Sequence, residues 1–163
     1  MLVGVISDVH DDVENLETAI KKLNEEGIRV LIHCGDFCSP FSLKKLKEYE
    51  GEVHAVFGNN DGDVFALTKK SYESVKNVKL YGYFGELVLE KNKIAFLHDD
   101  KLARLVALSG KYDVVFYGHS HEFKVERVNK TLLVNPGSIS RISERPSFVV
   151  YNTKNKSVKQ YLL

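Results

Sequence analysis

The sequence predicts a single domain of the α/β class (α+β in some schemes): a four-layer αββα sandwich of two mixed sheets flanked by helices. Three observations carry this. The first half alternates short apolar runs with segments of helical spacing, which gives parallel strands joined by crossovers. The second half is dominated by apolar runs separated by tight polar turns, which gives hairpins. The chain of 163 residues matches one domain spanning 1–163, with no Pro/Gly/Ser-rich linker or repeat to divide it.

Leu2–Ser7 is an apolar run suited to a strand buried on both faces. Asp11 and Asp12 then offer an N-cap, Val13, Leu16, Ala19, Ile20 and Leu23 follow at helical spacing, and Gly27 stops the helix. Val30–His33 is a second strand. Ser39-Pro40 pairs an N-cap with a proline at the first helical position, and Phe41, Leu43 and Leu46 form the expected buried stripe. Val53–Phe57 is a third strand. Lys79–Tyr83 and Glu86–Glu90 read as two strands joined near Gly85, and the polar residues 91–93 turn the chain into Ile94–His98. Leu102, Leu105 and Val106 indicate a short helix closed at Ser109-Gly110, before a buried strand at Val114–Tyr117. Phe123–Val128 with Thr131–Asn135, and Phe148–Asn152 with Ser157–Leu162, are expected hairpins.

With 23 basic and 22 acidic residues the formal charge is +1, which excludes a broad nucleic-acid surface. No apolar run approaches the ~20 residues of a membrane span. Residues 1–10 lack a basic region and reach Asp8, so they are a strand, not a secretory signal. Cys34 and Cys38 are too few for a disulfide framework, and a reducing, cytoplasmic location is expected. Cys34, beside Leu31 and Ile32, reads as a small core residue.

Polar groups capable of binding metal recur just after the apolar runs. Asp8 and His10 follow LVGVIS, Asp36 follows VLIHCG, Asn59 follows VHAVFG, His98 follows KIAFL, and His119 and His121 follow VVFYG. Carboxyl ends of parallel strands lie along one sheet edge, where ligands bind. Each pair has a plain structural explanation by itself: Gly35-Asp36 as a turn, residues 58–62 as a tight loop, His98 as a strand-end histidine. Their joint occurrence at five strand ends points to cation binding, because crowded carboxylates need a counter-charge. His33 and His54 lie within strands and are read as structural. Imidazole, carboxylate and amide donors suit Mn, Fe, Ni, Co or Zn, and seven donors suit two ions sharing a carboxylate, as in phosphate-ester hydrolysis. A single-ion binding or sensing domain is another reading of the same residues.

In this order the motifs resemble the calcineurin-like metallophosphoesterase superfamily: Asp8-Val9-His10, Gly35-Asp36, Gly58-Asn59-Asn60-Asp61, His98 and Gly118-His119-Ser120-His121. Asn135-Pro136-Gly137-Ser138 is similar to the small prokaryotic and archaeal phosphodiesterase branch. The resemblance implies two divalent ions per chain, with Mn or Ni favoured. One is held by Asp8, His10, Asp36 and His121, the other by Asp36, Asn59, His98 and His119, with Asp36 bridging. It implies hydrolysis of a small phosphate ester, preferentially a diester, by in-line attack of a metal-bridging hydroxide. A phosphomonoesterase is the near alternative, and a catalytically inactive scaffold similar to a retromer subunit is the more distant one. A homo-oligomer is consistent with the resemblance, and Tyr81 or Tyr83 could serve an interface.

Two positions depart from the family pattern. Asn60 stands where many members carry a histidine that acts on the leaving group; its amide can position substrate but cannot release a proton at neutral pH. Asp99-Asp100 follows His98 where close relatives often have Gly-His, adding acidity near the site. Cys38 and Arg141 are further candidates for phosphate contact by loop placement.

Overall fold

The computed structural model describes residues 1–163. Its first sheet contains β1 (Leu2–Ile6), β2 (Val30–His33), β3 (Glu52–Ala55), β4 (Val78–Leu80), β10 (Ser147–Asn152) and β11 (Val158–Leu162). The second contains β5 (Phe84–Leu89), β6 (Asn92–Leu97), β7 (Val114–Phe116), β8 (Phe123–Val128) and β9 (Thr131–Pro136). Their spatial orders are β11-β10-β1-β2-β3-β4 and β5-β6-β7-β9-β8. Both sheets are mixed: β1 through β4 run parallel, as do β6, β7 and β9, and the remaining pairings are antiparallel.

Strand alternation builds three hydrophobic layers. Val3 and Val5 of β1 meet Phe96, Phe116, Val134 and Tyr151 between the sheets. Ile6, Leu31, Val53 and Phe148 face outward against α1 (Val13–Glu25), α2 (Pro40–Lys45) and α3 (Val64–Ser74). On the far side, Ala95, Leu97, Val115 and Leu133 pack under Ala103 and Ala107 of α4 (Asp100–Leu108). This is the expected four-layer sandwich. Gly4 permits the close approach of α1, since a Cβ there would lie 2.8 Å from Leu23 Cδ2.

Helix caps follow the sequence. Asp12 accepts from Asn15 N–H, Ser39 from Phe41 N–H and Asp99 from Leu102 N–H. Asp99 thus spends its carboxylate on a helix start, so the acidity expected beside the site is partly neutralised by the helix dipole. Several local expectations change. Helix α3, capped by Asp63, had no sequence assignment, because its apolar residues Val64, Phe65 and Leu67 bury only Leu67 among them. The strands at 79–83 and 86–90 do not pair: β4 completes the first sheet and β5 begins the second. The turn after β5 lies at Glu90-Lys91, two left-handed residues. Phe41, Leu102 and Leu105 point to solvent, and α4 instead buries its alanines, whose small size lets the helix lie close to the sheet.

Both structural histidines are buried as expected. His54 Nδ1 meets Tyr81 Oη at 2.9 Å, which ties that tyrosine to the fold. His33 Nδ1 accepts from Gly35 N–H at 3.1 Å and its ring stacks on Phe37. Burial pushes the His33 pKa down to about 3 from 6.5. The folded protein therefore refuses a proton that the unfolded chain accepts below pH 6.5, and the stability this neutral ring supports is full above 6.5 and lost toward pH 3. Across that window the slope attributable to His33 is up to about 1.4 kcal/mol per pH unit. Thermal melts of wild type and His33→Asn from pH 8 to 4 should show the steeper acid loss in wild type; parallel curves would remove His33 as the cause.

Candidate metal centre

All seven residues expected as ligands converge at the carboxyl ends of β1, β2, β3, β6 and β7, where the two sheets meet. Around one point, His10 Nε2 lies 3.1 Å from His121 Nε2, 3.8 Å from Asp8 Oδ1 and 3.6 Å from Asp36 Oδ2, and His121 Nε2 lies 3.3 Å from Asp8 Oδ1. Around a second, Asn59 Oδ1 lies 2.9 Å from both His98 Nε2 and His119 Nδ1, and His98 Nε2 lies 3.4 Å from Asp36 Oδ2. Asp8 also reaches His98, at 4.0 Å. The most compact triads are Asp8, His10, His121 and Asp8, Asp36, His98.

This geometry costs backbone energy. Asp8, His10, Asp36, His119 and His121 all have φ between 46° and 72°, in the left-handed region that L-residues avoid. Such strain persists where the surrounding structure over-determines it, and it clusters at functional sites. Here the determinants are visible. Asp61 is buried and accepts from Asp36 N–H (3.1 Å), Gly58 N–H (2.7 Å) and Cys38 N–H (2.8 Å), which locks the Asp36 and Asn59 loops together. Asn135 donates to Gly118 O (2.8 Å) and Ser120 Oγ (3.0 Å) and holds the His119–His121 turn. Ser138 Oγ donates to Asp8 O. Nothing in the sequence of residues 135–138 announces these tasks, because carbonyl partners leave no trace in a sequence.

Small residues make the convergence possible. A Cβ on Gly118 would lie 2.6 Å from Asp8 Oδ2, and a Cβ on Gly58 would run into Asp36 Oδ1. Gly118→Ala is expected to displace Asp8 and lower turnover by about 10²-fold, the usual effect of ångström-scale misplacement. Metal content and kcat should fall together while circular dichroism stays unchanged. Normal metal content with normal kcat would show that the loop tolerates the methyl group.

The electrostatics suit cations. Burial alone would raise the Asp8 carboxyl, but the His10 and His121 rings beside it hold it well below the usual carboxylate range. Asp36 is likewise lowered: burial opposes, and hydrogen bonds from His98 and Asn60 prevail. His98 Nδ1 points at Cys34 O at 2.8 Å; a carbonyl only accepts, so that nitrogen carries a hydrogen and Nε2 is the nitrogen that faces Asp36 and Asn59. Two ionised carboxylates, four imidazoles and an amide oxygen, facing one another within about 4 Å, fit divalent transition metals.

Two further candidates are placed differently from expectation. Arg141 is occupied: its guanidinium clasps Asp12 through Nε and Nη2 at 2.9 Å and reaches Glu14 at 2.8 Å. Cys38 Sγ packs on His10 Nδ1 at 3.4 Å, and burial with the nearby carboxylates of Asp36, Asp11 and Asp61 pushes its thiol up to about 12. It is a neutral support for the His10 ring. Asp61 faces inward, away from any anionic substrate. Asn60 donates through its backbone N–H to Asp36 Oδ1 and through Nδ2 to Asp36 Oδ2, both at 2.8 Å.

A two-sheet sandwich that gathers Asp, Asn and His from five strand ends suits a phosphoesterase of the metal-dependent type. The particular family follows from comparison: residues 1–156 match the calcineurin-like phosphoesterase superfamily domain, and the chain belongs to that superfamily. It is similar to the phosphodiesterase MJ0936 of Methanocaldococcus jannaschii, with 32% identity over 100% of this chain and 99% of that protein. A solved structure described as a novel archaeal phosphodiesterase superimposes with a TM-score of 0.90 at 31% identity, covering 100% of both chains. Vps29 of Chaetomium thermophilum shares the fold, with a TM-score of 0.72 at 16% identity over 100% of this chain and 94% of that one. No helix is long and apolar enough to cross a membrane.

Proposed function

We propose that the protein is a two-metal phosphodiesterase acting on small phosphate esters. The observation that supports this best is the position of Asp36 Oδ2, 3.6 Å from His10 Nε2 and 3.4 Å from His98 Nε2, common to both donor groups. Asp8, His10, Asp36 and His121 would hold one ion, and Asp36, Asn59, His98 and His119 the other; Mn or Ni suits this donor set. When bound, the ions supply a water of lowered pKa and neutralise charge on the phosphoryl oxygens.

The chain's own residues orient this chemistry. Asn60 fixes the Asp36 carboxylate through two hydrogen bonds, which holds its amide beside the donor groups where a phosphate oxygen would sit. With no titratable group in that place, proton donation to the leaving oxygen falls to solvent, which favours esters with good leaving groups. Two open clefts flank the site. One, of about 360 Å³, runs along His10, Asp12 and Arg141; the other, of about 520 Å³, runs along His121, Phe123 and Arg145; Ile142 borders both. A diester has two ester arms and a monoester one, so paired clefts favour the diester. Both cysteines are free thiols, in keeping with the cytoplasm.

The test is kcat/KM on an aryl phosphodiester and its matched monoester with added Mn²⁺ or Ni²⁺. Higher kcat/KM on the diester is expected. Preference for the monoester would replace the diesterase reading with a phosphomonoesterase. No turnover of either by folded, metal-replete protein would overturn the enzymatic reading in favour of the scaffold.

A further inference from the structure

We infer that the β8 edge is a self-association surface, through which two copies of this chain join their second sheets into one continuous sheet. Strand β8 ends its sheet, runs for six residues without proline, and exposes Phe123 and Val125. A strand edge of this length with apolar side chains is a template for pairing.

The register follows from backbone chemistry. Val128 faces Thr131 across the two-residue turn Asn129-Lys130, so Val128, Glu126 and Lys124 direct their N–H and C=O groups to β9. Phe123, Val125 and Arg127 direct theirs outward. A symmetric antiparallel partner must match outward residues with outward residues, which puts the two-fold axis at a residue of β8 and not midway between two. Centred on Val125, the pairing sets Val125 against Val125, Phe123 against Arg127 and Lys124 against Glu126, the last two occurring twice. One step either way opposes Lys124 to Lys124 or Glu126 to Glu126. Opposite charges stabilise cross-strand neighbours and like charges destabilise them, so the Val125-centred register is the one that sets opposite charges of β8 against each other. Lys124 and Glu126 share a face, where Glu126 already meets Lys124 at 3.3 Å and Arg104 at 3.1 Å.

The other edges lack this property. Strand β4 has three residues, β5 centres its outward row on Glu86, and β11 carries Lys159 with no acidic residue to answer it. Pairing at β8 also has a consequence for the site. Phe123 lines the cleft beside His121, so the Arg127 guanidinium of the second copy comes to rest at that cleft's wall.

Sedimentation equilibrium of the full chain should give twice the monomer mass for wild type. Val125→Pro deletes an outward N–H and should leave a folded monomer, checked by circular dichroism. Lys124→Glu and Glu126→Lys should each raise the dimer dissociation constant by about tenfold or more, because each acts twice across the axis. The double variant Lys124→Glu/Glu126→Lys should restore wild-type association, since the pairs are merely exchanged. A monomeric wild type, or a dimer indifferent to Val125→Pro and to the single charge reversals, would overturn the inference. Failure of the double variant to rescue would overturn the register.

Discussion

Asp36→Ala is expected to reduce phosphoester hydrolysis to background while leaving the fold intact. Removing one preorganised electrostatic contact to a transition state costs about 10²–10³-fold. Asp36 Oδ2 faces both donor groups, so its loss weakens both at once and the deficit should reach or exceed the upper figure. Asn60 would also lose its two acceptors, and its amide would no longer be held beside the site. The measurement is kcat on an aryl phosphodiester together with metal stoichiometry of the reconstituted protein. Wild type should retain two ions per chain and the variant fewer. An Asp36→Ala protein that keeps both ions and its turnover would break the bridging assignment.

Chelation should produce the second large effect, on stability as well as activity. A ligand bound at a hundred times its dissociation constant stabilises the native state by about 2.7 kcal/mol. In a chain of this size that corresponds to a melting shift of about 5–10 °C per ion. Removal also leaves Asp8 and Asp36 ionised and close together, with the imidazoles and the hydrogen bonds from Asn60 to compensate. EDTA treatment should therefore lower Tm and abolish turnover, and excess Mn²⁺ or Ni²⁺ should restore both. Unchanged melting with unchanged activity would mean that no divalent cation belongs to this site.

The two effects share an origin in strained loops. Left-handed residues at Asp8, Asp36, His119 and His121 are held by Asp61, Asn135 and Ser138, none of which is a proposed ligand. The sequence pointed to the ligands because their chemistry is conspicuous at strand ends. It was silent on the supports, since an aspartate that accepts three backbone N–H groups looks like any loop aspartate. Arg141 illustrates the reverse case. Loop placement suggested an anion contact, and the structure pairs the guanidinium with Asp12, far away in the chain.

What the sequence determined by itself was the repeating alternation of strand and helix, the hairpins of the second half and the seven side chains at strand ends. These depend on local periodicity and residue type. Only the tertiary structure decided that β4 and β5 belong to different sheets, that α3 exists, and that alanines rather than leucines of α4 meet the sheet. Those outcomes depend on which surfaces remain uncovered after the strands have paired, a property of the whole chain that no short window contains.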